Sequence, residues 1–104
     1  MTAPRLDENA RLEALAGLPQ WTLAEGREAI ERQYRFTTFA DAFTFMTRVA
    51  FIAEAMNHHP EWRNVYRDVE VTLSTHDAGG LTAIDVELAR AMDEVARRII
   101  VAPS

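Results

Sequence analysis

The stretch Val69-Glu70-Val71-Thr72-Leu73-Ser74-Thr75-His76-Asp77-Ala78-Gly79-Gly80-Leu81-Thr82-Ala83-Ile84-Asp85 decides the fold. Val69, Val71, Leu73 and Thr75 alternate with Glu70, Thr72, Ser74 and His76, a period of two that predicts a strand with one buried face. If that strand stays regular to its end, His76 projects from the polar face. Asp77-Ala78-Gly79-Gly80 breaks it. Thr82 then reads as the N-cap of a helix, with Asp85 three residues on as its capping-box partner and Leu81 and Val86 placed for a hydrophobic staple. Leu88, Met92, Val95, Ala96 and Ile99 supply the buried stripe of that helix. A strand that feeds a helix through a glycine turn, in a chain whose period switches several times, argues against an all-helical bundle.

Working upstream, Pro60 ends a second helix and biases His59 toward extended backbone. That helix runs from Thr38 to Met56, with Thr38 and Asp41 as a capping box. Its predicted core stripe is Phe39, Phe43, Met46, Val49, Ala50, Ala53 and Met56. Phe45, Phe51 and Ile52 widen the apolar surface beyond one stripe, so deep burial and a subunit interface are both open. Ile30, Arg32, Tyr34 and Phe36 alternate with Glu31, Gln33 and Arg35, a strand pattern. With Trp21-Thr22-Leu23 across the Ala24-Glu25-Gly26-Arg27 turn, this strand predicts a hairpin. Asp7 to Ala16 reads as a short helix with Leu12, Leu15 and Ala16 on one side and Gly17 as its stop. Val65-Tyr66 is a brief strand. The order is α-β-β-α-β-β-α: an α+β domain, a four-stranded antiparallel sheet with three helices packed on one face.

The chain has 104 residues, expected as a single domain over 1–104, and 48% of them are apolar, enough for a real core. It has no cysteine, which excludes disulfides, thiolate nucleophiles and Cys-ligated zinc. The N-terminus has no apolar signal core and turns acidic at Asp7 and Glu8, so a cytoplasmic protein is expected. The apolar run Val49 to Ala53 is too short to span a bilayer. The net charge is −5 and every basic side chain is a dispersed arginine, which disfavours nucleic acid as a partner.

All three histidines lie in two polar breaks, Asn57-His58-His59-Pro60-Glu61-Trp62 and Thr75-His76-Asp77-Ala78-Gly79-Gly80. With an unperturbed pKa of ~6.5, imidazole gives and takes protons near neutral pH. Three of them can supply an acid, a base and a hydrogen-bonding anchor. The alternative is loop histidines with no role. No nucleophile stands out, because Ser74, Thr75 and Thr82 lie in no G-x-S-x-G setting. Gly79-Gly80 lacks the continuation of a phosphate loop. Three histidines can also hold a catalytic zinc. Adjacent histidines, however, do not point the same way on a helix or strand, and no metal is assigned. Glu54, four residues before His58, can share its side of the helix end and orient an imidazole, or be a solvated carboxylate. Trp62 offers a flat wall for an aromatic ligand, or packs in the core.

Taken together, Phe45 to Ala50, Glu54, His58-His59-Pro60-Glu61-Trp62, Asn64-Val65-Tyr66, Leu73 to Thr82, Asp85 and Leu88-Ala89 resemble the pterin-4a-carbinolamine dehydratases. The resemblance runs from about Leu12 to Ala96. It implies dehydration of 4a-hydroxytetrahydropterin to the quinonoid dihydropterin, in recycling of the pterin used by aromatic amino acid hydroxylases. It implies no metal and no cofactor, since the pterin is the substrate, and a homodimer or homotetramer. By resemblance, His58 and His76 are the acid/base pair and His59 binds and orients the pterin. Glu54 supports the histidines, and Pro60, Trp62, Thr75 and Asp77 contribute to the pocket. Some animal relatives also serve as dimerisation cofactors of a transcription factor, so an interaction module is the alternative reading. Ala55 stands where a basic residue is frequent. Asn57 stands where an aspartate is frequent, which takes a carboxylate from beside the histidines and bears on the pH optimum.

Overall fold

The protein is described by a computed structural model over residues 3–100; positions 1, 2 and 101–104 of the expected domain lie outside the described residues. The elements are α1 (Glu8–Ala16), β1 (Thr22–Leu23), β2 (Ile30–Arg35), α2 (Phe39–Met56), β3 (Glu61–Val65), β4 (Asp68–Leu73) and α3 (Ala83–Ile100). A single turn of 3-10 helix, His76–Ala78, lies between β4 and α3. The four strands form one antiparallel sheet in the order β1-β2-β4-β3. This is the α-β-β-α-β-β-α arrangement expected from the sequence.

Alternation places the sheet's inner row. Ile30, Tyr34, Val69, Val71 and Leu73 are buried on one face and meet Phe45, Val49, Leu88 and Met92 of α2 and α3 in one core. Their partners Ile30↔Leu73, Arg32↔Val71 and Tyr34↔Val69 lie directly opposite across β2 and β4. Arg32 interrupts this row with a charge, and Asp93 on α3 answers it at 2.7 Å. Asp93 also accepts from the Trp21 indole and the Tyr34 hydroxyl, so the intrusion is fully paired.

Of the predicted α3 stripe, Leu88, Met92, Val95 and Ala96 are buried, joined by Ala89, and Ile99 is half-buried against the same core. The capping box at its start is formed. Ile84 N–H donates to Thr82 Oγ1, and Thr82 N–H donates to Asp85 Oδ2. Asp7 caps α1 through Ala10 N–H, but Leu12 is exposed rather than packed.

Three expectations are corrected. The buried row of α2 is Ala42, Phe45, Val49 and Ala53, while Phe39, Phe43 and Ala50 of the predicted stripe face outward. Apolar residues cover more than half of this helix, so two adjacent rows fit a helical period equally well. The sheet and α3 select between them. The third strand begins at Glu61 rather than Val65, and Tyr66 leaves it in the left-handed region at φ 53°. As an edge strand it buries no residue fully, so it has little hydrophobic alternation to read. The fourth strand stops at Leu73, and His76 stands in the 3-10 turn instead of on a strand face. Among the described residues, no helix is long and apolar enough to cross a membrane.

Candidate active site

Two helix and strand ends present the histidines. At the end of α2, Asn57 adopts left-handed geometry (φ 53°, ψ 43°), which asparagine tolerates better than most residues. His58 N–H then donates back to Ala53 O, and the chain turns at Pro60 into β3. At the end of β4, Thr75 and Gly80 exchange backbone hydrogen bonds of 2.9 and 3.2 Å and close a loop that holds His76. Gly79 sits at φ 73° within this loop, where a side chain is strained.

Asp85 ties the two ends together. It is fully buried, and its Oδ1 lies 2.6 Å from His58 Nε2. Its Oδ2 accepts from Thr75 Oγ1 at 2.7 Å and from Thr82 N–H at 3.0 Å. The single proton of Thr75 is committed to Asp85, so in the 2.8 Å contact between the two threonines Thr82 is the donor. A carboxylate accepts only, so it fixes the tautomer of His58 with the proton on Nε2. That leaves Nδ1 as the nitrogen able to take a proton. The ring is otherwise shielded, with 12% of the His58 side chain exposed.

The other expected residues divide. His59 is exposed and pairs with Glu54 at 2.7 Å. Glu54 therefore serves His59 and not His58, four residues on; Asp85 is the partner that spacing along α2 could not show. Trp62, opposite Val71 on the helix-facing side of the sheet, is half-buried and packs against the core. Pro60 is half-buried and Asp77 is exposed in the 3-10 turn. Thr75 is buried within the Asp85 network.

His76 borders a cleft of about 270 Å³ lined also by Arg27, Glu28, Glu61, Ser74, Gly79 and Gly80. Both histidine segments reach this cleft, one through Glu61 and the other through residues 74–80. His58 and His59 are not in its lining. Arg27 and Glu61 form a two-pronged ion pair at 3.0 and 2.9 Å, which holds the Glu61 carboxyl below its usual range and raises the Arg27 guanidinium. Glu28 is bound by Arg11 and Arg5, and its main-chain oxygen accepts from Ser74 Oγ. Among the described residues no group of three or more His, Asp or Glu side chains is placed to hold a metal ion.

Sequence reasoning missed Asp85, Arg27, Glu28 and Glu61 as parts of this site. Asp85 carries part of the resemblance, but the only role its spacing gives is a helix cap, which uses one of its two oxygens. Arg27 and Glu28 are charges before β2 with no local pattern to mark them, and Glu61 stands inside the His58-His59-Pro60-Glu61-Trp62 segment with nothing in that segment to give it a role.

The family model described as Pterin 4 alpha carbinolamine dehydratase matches residues 4–95. A protein of Bradyrhizobium diazoefficiens, provisionally named pterin-4-alpha-carbinolamine dehydratase, is 60% identical over 95 residues, covering 91% of this chain and 95% of its own. One of Nitrobacter hamburgensis with the same provisional name is 55% identical over 96% of this chain and 99% of its own. The crystal structure of a transcriptional coactivator/pterin dehydratase from Brucella melitensis superposes with a TM-score of 0.87 at 47% identity, covering 88% of this chain and 98% of that one. A pterin dehydratase-like protein identified as a RuBisCO assembly factor in the alpha-carboxysome shares the fold, with a TM-score of 0.64 at 19% identity over 74% of this chain and 89% of that one.

Proposed function

The chain belongs to the pterin-4a-carbinolamine dehydratase family, and from that premise we propose that His58 and His76 are its acid/base pair, converting 4a-hydroxytetrahydrobiopterin to quinonoid dihydropterin and water. The observation that supports this most is the Asp85 network. It holds His58 in one tautomer and, through Thr75, joins it to the loop that carries His76.

The reaction asks little else of the protein. The hydroxyl on the carbinol carbon leaves as water once an acid protonates it. The adjacent ring nitrogen gives up its proton to a base as the double bond forms. Imidazoles perform both transfers without a covalent step and without a metal or other cofactor, for ~10²- to 10⁴-fold in rate. His59, held by Glu54, binds and orients the ring, Asp77 offers main-chain groups to its polar edge, and Thr75 supports the pocket through its bond to Asp85. Pro60 and Trp62 shape the wall beside them.

The test is the rate at which purified protein removes the 4a-hydroxypterin made by an aromatic amino acid hydroxylase, the enzyme class this protein would serve. Wild type accelerates the loss, and the double variant His58→Ala, His76→Ala does not. An unchanged rate with wild type refutes the reading.

A second reading rests on the outer row of α2, where Phe39, Phe43 and Phe51 are exposed. In it the protein forms a homodimer or homotetramer through this face, or lends the face to a transcription regulator. The Brucella protein described as a coactivator motivates the latter. Pull-down from the native cell that returns mixed oligomers, unaffected by histidine variants, favours the regulator; homo-oligomers alone count against it.

A further inference from the structure

The ion pair across the cleft carries more than the fold requires of it. Arg27 stands in the connection before β2, and Glu61 opens β3. Their side chains are 47% and 60% exposed, so the pair adds little to stability. The register of Glu61 against Thr72 is set by the backbone ladder. Yet the two groups meet fork to fork, one nitrogen on each oxygen, along the wall that His76 shares. Glu28, the other carboxylate there, is already bound by two arginines and packs against Gly80. Glu61 is the acceptor whose partner water can replace.

A pterin displays, along one edge, a ring N–H and an exocyclic amino group on the same carbon. That edge is a cyclic guanidine: planar, with two parallel N–H donors at the spacing of an arginine fork. Resting on the dehydratase reading above, we propose that Glu61 is a substrate-binding residue that takes this edge of the pterin in exchange for Arg27. Arg27 is the internal competitor that fills the fork while the cleft is empty. The carbinol carbon lies at the ring fusion, across the pyrimidine ring from that edge, with the reacting nitrogen beside it, so a ring anchored at Glu61 keeps its reacting atoms clear of the anchor and free to face His76 in the same cleft.

Exchange between two donors for one acceptor has a signature that a structural clasp lacks: removing either member shifts affinity in opposite directions. The experiment measures binding of a non-reacting 7,8-dihydropterin, and of the lumazine of the same substitution, whose 2-oxo group replaces the amino group. Tryptophan quenching on the whole chain reports both. Arg27→Ala tightens pterin binding. Glu61→Gln weakens it about tenfold or more and removes the preference for pterin over lumazine. In turnover, Glu61→Gln raises KM and changes kcat little. Weaker binding by both variants, or an equal loss for pterin and lumazine, overturns the proposal while leaving the dehydratase reading intact. A wild-type protein that neither binds nor dehydrates pterins overturns both.

Discussion

At the scale of single residues, Asp85 does two jobs that local sequence reveals only by half. Its Oδ2 caps α3, and its Oδ1 reaches across the molecule to His58. Asp85→Asn keeps the size but replaces one of the two acceptor oxygens with an amide donor, so either His58 or the Thr75 and Thr82 donors lose their acceptor. Turnover is expected to fall about tenfold or more, and stability by about 1–3 kcal/mol from the donors left in the core. Steady-state kinetics and urea unfolding check the two effects separately. Tyr34 makes a second prediction. Burial, with the hydrogen bond to Asp93, drives its hydroxyl far above the ordinary tyrosine range. A pKa raised in the folded state means its contribution is complete below the unfolded value of ~10 and is lost as pH rises beyond it. Urea midpoints should therefore drop in alkali for wild type, and Tyr34→Phe should flatten that drop. An identical alkaline slope in both proteins contradicts the account.

At the scale of elements, legibility follows burial. Val69, Val71 and Leu73 alternate against a core, so β4 was readable, and so was α3 with its capping box and stripe. The edge strand β3 fully buries no residue, and its first four residues were indistinguishable from a loop. The α2 helix was readable in extent but not in rotation, because Phe39 and Phe43 offer as good a row as Ala42 and Phe45. Its outward row includes the Phe39–Phe43 pair and Phe51 at 75% exposure, and Phe51→Glu puts a charge on that face. Sedimentation should show a smaller species if this face joins copies; no change in size would say it does not. The glycine loop gives the sharpest element-level expectation. A Cβ at Gly80 would stand 2.8 Å from Glu28 Oε2 and 3.2 Å from Glu28 Cβ. Gly80→Ala should cost about 1–3 kcal/mol through overpacking. Gly79→Ala, at φ 73° with open space around it, should cost about 1 kcal/mol through backbone strain. Thermal unfolding of the two variants separates crowding from strain, since Glu28→Ala should relieve the first and leave the second.

At the scale of the molecule, the sheet holds two histidine-bearing ends on one framework, and a carboxylate from the last helix links them. The histidine segments were legible because polar breaks beside a proline and a glycine pair are visible in any reading of the chain. Their pairing was not. That Asp85 meets His58 depends on how α3 packs against the end of α2, and no spacing encodes that, whereas His59 meets Glu54 within one turn of the chain. The central claim is that one flat heterocycle sits where both ends can reach it. A crystal soaked with a dihydropterin tests it most directly. The account predicts the ring with its carbinol carbon between His58 and His76, each imidazole within hydrogen-bond reach of the site of the leaving hydroxyl or the adjacent nitrogen, roughly 2.6–3.2 Å or one water away. A pterin bound elsewhere, with neither imidazole near the reacting carbon, would contradict it.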